Sequence, residues 1–182
     1  RACYFYIGCY FSSEISNSSD FFMSLPFPFK LPQWPPDWPE IAESVNQTLQ
    51  SGQWGNYHGP AGAELTRQIS DLCQTKHARL VSSGSIGIEV ALRASGIGTG
   101  DGVLLCGYDY PGNLRGVELL GARPILVDAG ADRFSIDADA IADVPAPDAA
   151  AVIVSHLYGG RAEIVALPEI SDAKGVRLVE AG

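Results

Sequence analysis

Residues 101–128 read DGVLLCGYDYPGNLRGVELLGARPILVD, and this stretch decides the fold. Two short apolar runs, 102–106 and 124–128, enclose a segment at 112–120 with helical spacing of apolar residues. Runs that are apolar on both faces are typical of strands in a sheet covered by helices on both sides. The stretch therefore predicts a strand, a helix and a second strand parallel to the first.

The same alternation extends along most of the chain. Further apolar runs at 78–82, 150–154 and 176–180 predict three more strands. Helical spacing predicts further helices at 40–50, 62–74, 85–95, 137–143 and 162–174. Strands that alternate with helices indicate parallel strands joined by crossovers. We therefore expect an α/β fold, a three-layer sandwich with a mostly parallel sheet.

The composition of the 182 residues excludes several classes of function. Hydrophobic residues make up 46% and charged residues 18%, which is typical of a globular domain. The net charge of −9 and the lack of a Lys/Arg cluster argue against nucleic-acid binding. The cysteines form no C-x-x-C pair and the histidines are scattered, so we expect no metal site, free thiols and a cytoplasmic location. No apolar run is long enough to predict a membrane span.

Two segments precede the regular pattern. Residues 1–22 lack the basic start and cleavage site of a signal peptide, and the only methionine is Met23. We expect residues 1–22 to be a non-native leader upstream of the natural start, or else a genuine disordered tail. Residues 23–39 contain six prolines and predict an extended arm, either a ligand for SH3-type domains or an arm packed onto its own or a partner subunit.

Ligands of doubly wound sheets bind beyond the carboxyl ends of the strands, so the residues that follow each run carry the functional information. Ser83-Gly84-Ser85-Ile86 follows the run at 78–82 and opens a helix. Small residues at such a turn favour an anion such as phosphate, because free amides and the helix dipole point at it. The alternative is an ordinary helix N-cap formed by Ser83.

Two other positions at this edge have two interpretations each. Tyr110 follows the run at 102–106, and its ring could stack on a flat cofactor or pack against its neighbours. His156 follows the run at 150–154 and could act as an acid or base, although a hydrogen-bonded structural histidine is the commoner case.

Several motifs occur in an order and spacing that resemble the DegT/DnrJ/StrS aminotransferase family, in particular its 3-amino-5-hydroxybenzoate-synthase-like branch. They are SSGSIGIEVAL, GTGDGVLL, YDYPGN, LGARPILVD, VSHLYGG and GVRLVE, and the resemblance extends from Trp34 to Glu180. It implies a fold type I pyridoxal-phosphate transferase, with residues 40–182 as an incomplete cofactor-binding large domain. It also implies a homodimer that uses a keto-sugar or cyclitol-like substrate and an amino-acid donor.

The resemblance assigns roles to individual residues. The backbone of Gly84, Ser85 and Ile86, with the Ser85 hydroxyl, would hold the phosphate of pyridoxal 5'-phosphate. Tyr110 would stack on the pyridine ring. Tyr57 and His58 would approach the substrate.

Two departures from the family pattern concern the chemistry. The family has an aspartate that pairs with the pyridinium nitrogen, and Ala181 stands at that position. None of the three lysines, Lys30, Lys76 and Lys174, matches the motif of the Schiff-base lysine. The resemblance thus implies no catalytic residue here and predicts a fragment of an aminotransferase. The alternatives are a non-catalytic remnant or phosphate-ligand binding module, and a fragment of a sugar dehydratase.

Overall fold

The computed structural model describes residues 3–5, 37–131, 134–145, 148–162 and 166–182, with the backbone alone for 3–5 and for positions 170 and 174. The chain divides into two compact units. Arg1–Tyr10 and Arg79–Gly182 form the first unit, which contains the sheet, and Phe11–Ala78 forms the second, whose described part contains two helices.

The described residues contain one sheet of five strands. They are β1 (Cys3–Phe5), β2 (Gly102–Cys106), β3 (Arg123–Val127), β4 (Ala151–Ser155) and β5 (Arg177–Ala181). Their spatial order is β1-β5-β4-β2-β3, and every neighbouring pair is parallel. The bounds of β2 to β5 lie within one residue of the predicted runs, so the expected parallel α/β sheet is confirmed.

Helices occur where the apolar spacing predicts them. In chain order they are α1 (Pro39–Gln50), α2 (Pro60–Leu72), α3 (Gly84–Ala94), α4 (Pro111–Leu119), α5 (Ala138–Asp143) and α6 (Ala166–Lys174). A 3-10 turn at Leu157–Gly159 follows β4. In the second unit, neither α1 nor α2 has a buried residue.

The sheet is buried on both faces, as the apolar runs predict. Val103 and Leu105 of β2 pack into a core with α3 and α4, whereas Leu104 and Cys106 pack into a second core with α5 and α6. Successive side chains of a strand point to opposite faces, so one continuous apolar run supplies both cores. Each fully buried aliphatic side chain stabilises the fold by about 1.5–3 kcal/mol. Helices α3, α4, α5 and α6 are therefore held to the sheet by apolar burial.

The predicted strand at 78–82 is wrong. These residues have no strand geometry, and the Leu80 and Val81 side chains are exposed. A strand requires a neighbour that accepts and donates its backbone hydrogen bonds, and no described strand lies beside this run. Without that partner, the run at 78–82 does not form a strand.

The structure does not test the predictions of a leader and a proline-rich arm. Cys3–Phe5 form β1, whereas residues 6–36, with Met23, Lys30 and most of the proline arm, lie outside the described residues. Whether residues 1–22 are a leader stays a prediction. Among the residues searched, no helix has the length and hydropathy to cross a membrane.

The backbone of Asp148 lies so close to Gly102 that a side chain at position 102 should destabilise the fold. A Cβ at Gly102 would overlap the Asp148 carbonyl and lie 2.9 Å from the Ile125 side chain. We expect Gly102→Ala to lower the free energy of unfolding by about 1–3 kcal/mol, because the backbone of Asp148 has to move. Gly98→Ala is the matched control, since nothing lies within 4 Å of its Cβ position. Urea denaturation measures both, and equal stability of the two variants would contradict this account of the packing.

Candidate functional site

The carboxyl ends of β2 and β4 lie side by side, because these two strands pair in parallel. Gly107 to Tyr110 follow β2, and Ser155 and His156 mark the end of β4. Helix α3 packs against α4, with α4 beginning at Pro111. Residues 107–110 and the end of β4 therefore lie at the same edge of the sheet.

The start of α3 combines both interpretations that the sequence allows. The Ser83 hydroxyl accepts a hydrogen bond from the Ile86 amide at 3.3 Å, so Ser83 is the N-cap. The amides of Gly84 and Ser85 donate to none of the described residues. First-turn amides have no partner inside a helix, and the dipole adds partial positive charge there. The Ser83 cap thus leaves Gly84 and Ser85 free to receive an anion.

Tyr110 lies beside this helix start. It occupies the N-cap position of α4, and 60% of its surface is exposed. A Cβ at Gly112 would overlap both the Tyr110 ring and the Ser85 hydroxyl, so the two side chains converge on one glycine. Glycine at position 112 is what allows the aromatic ring and the first turn of α3 to approach each other.

A cavity of about 330 Å³ opens where these groups meet. Its lining includes Ser85, Ile86 and Tyr110, three of the four residues expected to bind the cofactor, and the fourth, Gly84, is the first residue of the same helix. Arg115 of α4 also lines the cavity, and no hydrogen bond or ion pair joins its guanidinium to the described residues. Sequence reasoning missed Arg115, although a position four residues after Pro111 shares its face of the helix.

Sequence reasoning also missed a polar network formed by Asp109, Asn113 and Ser155. Asp109 Oδ1 accepts from the Tyr110 amide at 2.6 Å and from Asn113 Nδ2 at 3.0 Å. Asp109 Oδ2 accepts from Ser155 Oγ at 3.0 Å, and Asn113 Nδ2 also donates to Ser155 Oγ at 2.9 Å. Asn113 and Ser155 are buried, so these polar groups require one another as partners. The motif YDYPGN contains three of these residues, but its spacing does not reveal the link to β4.

Burial raises the pKa of the Asp109 carboxyl above its ordinary value, and the hydrogen bonds from Ser155, Tyr110 and Asn113 only partly oppose this rise. A raised pKa means that the folded chain holds the proton on this carboxyl more tightly than the unfolded chain does.

Three aromatic side chains lie at the same edge of the sheet. The hydroxyls of Tyr108 and Tyr158 are 3.2 Å apart, and the Phe134 ring lies 5.4 Å from that of Tyr108 and 5.6 Å from that of Tyr158. The hydrogen bond with Tyr158 raises the pKa of the Tyr108 phenol. The three rings come from the loops after β2, β3 and β4, so their meeting depends on the strand order.

His156 has the contacts of a structural histidine. Its Nδ1 accepts a hydrogen bond from the Ala162 amide at 3.2 Å, and its Nε2 lies 4.0 Å from a Glu180 carboxylate oxygen. Its own amide donates to the Ala181 carbonyl at 2.8 Å. These contacts join the end of β4 to the end of β5 and favour the structural interpretation over an acid or base.

The remaining candidate positions lie elsewhere or carry no polar group. Ala181 is buried at the end of β5 and presents a methyl group. Tyr57, fully exposed, and His58 belong to the second unit, and their approach to the substrate stays a prediction. Of the lysines, Lys76 follows α2 and Lys174 ends α6. The part of the chain that the structure describes contains no cluster of metal-ligating side chains, and Cys73 and Cys106 are free thiols.

The raised pKa of Asp109 predicts how stability depends on pH. The proton on Asp109 stabilises the fold below about pH 4, the ordinary pKa of an unfolded aspartate, and this contribution is lost as pH rises through the raised pKa. We therefore expect the stability of the unchanged chain, relative to Asp109→Asn, to fall as pH rises from about 4 to 7. Denaturant titrations across this range measure the difference, and a relative stability that rises with pH would contradict the raised pKa.

Comparison with known proteins agrees with these features. The model of the DegT/DnrJ/EryC1/StrS aminotransferase family matches residues 37–181. The chain is 32% identical over 154 residues to the L-glutamine:2-deoxy-scyllo-inosose aminotransferase of Streptomyces kanamyceticus, a match that covers 82% of this chain and 36% of the relative. The chain thus spans little more than a third of the length of this curated relative.

Solved structures show the same fold. 3-Amino-5-hydroxybenzoic acid synthase superimposes with a TM-score of 0.78 at 26% identity, covering 83% of this chain and 39% of that chain. A putative sugar aminotransferase of Streptococcus pneumoniae, in its PLP form, superimposes with a TM-score of 0.67 at 28% identity, covering 80% of this chain and 37% of that chain, and is also solved in a PMP form. The expected fold type I architecture is confirmed, and the chain belongs to the DegT/DnrJ/EryC1/StrS aminotransferase family.

Proposed function

We propose that this chain forms the phosphate- and ring-binding part of a pyridoxal-phosphate-dependent aminotransferase. The observation that carries the proposal is the convergence of the α3 N-terminus and the Tyr110 ring on one cavity. The two groups suit the two ends of pyridoxal phosphate, because one attracts an anion and the other offers a flat aromatic face.

The phosphate end of the cofactor fits the start of α3. The free amides of Gly84 and Ser85 and the Ser85 hydroxyl supply three hydrogen-bond donors, and the Ile86 amide is only weakly engaged at 3.3 Å. Arg115 also lines the cavity and adds a positive charge. Charge-assisted hydrogen bonds of this kind are about twice as strong as neutral ones.

The ring of the cofactor fits against Tyr110. An aromatic side chain packed on one face of the pyridine ring fixes the plane of that ring, and this plane decides which substrate bond reacts. More than half of the Tyr110 surface is exposed, so the ring has an open face for a ligand.

The residue expected beside the pyridine nitrogen lacks the acidic group that catalysis requires. When bound, pyridoxal phosphate supplies an electron sink, and a carboxylate beside its nitrogen keeps the ring protonated. The methyl group of Ala181 cannot hold that proton, and no lysine matches the Schiff-base motif. We therefore assign binding roles to this chain and no catalytic step.

Ala181 also favours a second candidate, a binding module that holds phosphate-bearing ligands without chemistry. The two candidates share the phosphate-binding start of α3 at Gly84, Ser85 and Ile86, called the phosphate cup from here on. They differ in whether the chain contributes to a reaction.

We infer a polyhydroxylated keto compound, either a keto-sugar or a cyclitol-like ring, as the amino acceptor, with an amino acid as donor. Support comes from the relatives, which include an L-glutamine:2-deoxy-scyllo-inosose aminotransferase and a putative sugar aminotransferase. A homodimer and an approach of Tyr57 and His58 to the substrate remain part of this proposal.

The crowding at Gly112 predicts a variant that closes the cavity. A methyl group at Gly112 pushes on Tyr110 and Ser85 together, so Gly112→Ala is expected to weaken binding of pyridoxamine 5'-phosphate at least about tenfold. Calorimetric titration measures the affinity. Gly98→Ala is the control, because it makes the same substitution at a position where nothing lies within 4 Å of the added Cβ. Undiminished binding by Gly112→Ala would remove this cavity as the ligand site.

A second prediction concerns Ala181. Ala181→Asp buries a carboxyl group without a partner, so we expect the free variant to lose about 1–3 kcal/mol of stability. Pyridoxamine 5'-phosphate should raise its melting temperature more than that of the unchanged chain, because the ring nitrogen supplies the missing partner. An equal shift for both proteins would contradict the position assigned to the ring nitrogen.

A further inference from the structure

We propose that Asp109 is a positioning residue that holds Tyr110 in place as the ring platform. The inference rests on the proposed function and assigns a role to a residue that neither the sequence nor the family resemblance singled out. It concerns the loop between β2 and α4, which carries Tyr110 into the cavity.

The Tyr110 ring packs close to Gly112, but the side chain has no polar contact with the described residues. Its ring is 60% exposed, and its hydroxyl makes no hydrogen bond to the described residues. Apart from this packing on Gly112, the ring orientation depends on the backbone of residue 110. That backbone is held at both ends: its amide donates to Asp109 Oδ1 at 2.6 Å, and its carbonyl accepts from the Asn113 amide at 2.9 Å. The bond to Asp109 is the shorter of the two and is called the tether.

Asp109 is itself anchored on two elements. Asn113 of α4 donates to Oδ1 and Ser155 at the end of β4 donates to Oδ2, each at 3.0 Å. The bond between Asn113 and Ser155 closes the triangle. Because Asn113 and Ser155 are buried, the carboxylate is fixed relative to the rigid sheet, and the tether transmits that rigidity to Tyr110.

The charge of the Asp109 carboxylate carries an electrostatic cost for ligand binding. A negative charge close to a phosphate site repels the ligand, and burial already disfavours the charge. Removing the charge should therefore strengthen binding if Asp109 acted through its field alone. A positioning role predicts the opposite sign, since the ring platform is lost when the tether is cut.

The experiment compares two probes by calorimetric titration of the full chain. Pyridoxamine 5'-phosphate needs both the phosphate cup and the ring platform, whereas inorganic phosphate needs only the cup. We expect Tyr110→Ala to weaken binding of pyridoxamine 5'-phosphate about tenfold, and Asp109→Ala to weaken it by a similar factor. The double variant should bind as weakly as either single variant, because both changes remove the same contact. Phosphate binding should not weaken in any of them.

Two further variants separate positioning from charge and from folding. Asp109→Asn keeps an acceptor oxygen for the Tyr110 amide and should retain the affinity for pyridoxamine 5'-phosphate. Asp128→Ala removes one exposed charge after the neighbouring strand β3 and measures the effect of charge alone. Melting temperatures confirm that each variant is folded.

The outcomes distinguish the positioning role of Asp109 from the proposed function. Loss of affinity in Tyr110→Ala but not in Asp109→Ala would overturn the positioning role alone. Additive losses in the double variant, or equal losses for both probes, would also overturn it. Failure of the unchanged chain to bind pyridoxamine 5'-phosphate would overturn the proposed function and, with it, this inference.

Discussion

The parallel pairing of β2 with β4 is the constraint on which the site depends. It places the residues that follow β2 beside the last residue of β4, although the two stretches are more than forty positions apart in the sequence. Burial on both faces fixes the register, because a slip by one residue would exchange the apolar side chains between the two cores. The position of Tyr110 relative to Ser155 is thus a consequence of how the sheet packs.

The same apolar burial brings the start of α3 to Tyr110. Helices α3 and α4 share one core, where Ile88 and Val117 are fully buried. Their close approach requires small residues, and a Cβ at Gly116 would lie 3.1 Å from the Ile88 side chain. One turn closer to the start of α4, Gly112 leaves room for Tyr110 and Ser85. The two glycines therefore connect helix packing to ligand binding, since each allows a contact that a side chain would block.

Local sequence was sufficient to predict most elements of the sheet unit and the start of the site. Helical spacing and continuous apolar runs identify β2 to β5 and the helices between them, because burial alone sets these patterns. Two strands differ from the prediction: no run predicted β1, and 78–82 was predicted as a strand and is not one. A strand requires a neighbour, and composition contains no information about neighbours. The Asp109–Asn113–Ser155 network and Arg115 escaped prediction for the same reason, since they are defined by strand order and by the packing of α4. Family resemblance supplied the roles of Gly84, Ser85, Ile86 and Tyr110, which the residues alone left open.

The central claim is that the start of α3 and Tyr110 together bind the phosphate and ring of one ligand. Amide chemical shifts during titration with pyridoxamine 5'-phosphate test it most directly, because the Gly84 and Ser85 amides are free to donate. The account predicts that the largest shifts occur at Gly84, Ser85 and Tyr110, with one common saturation curve. Saturable shifts confined to other residues, or no shifts at these three amides, would contradict it.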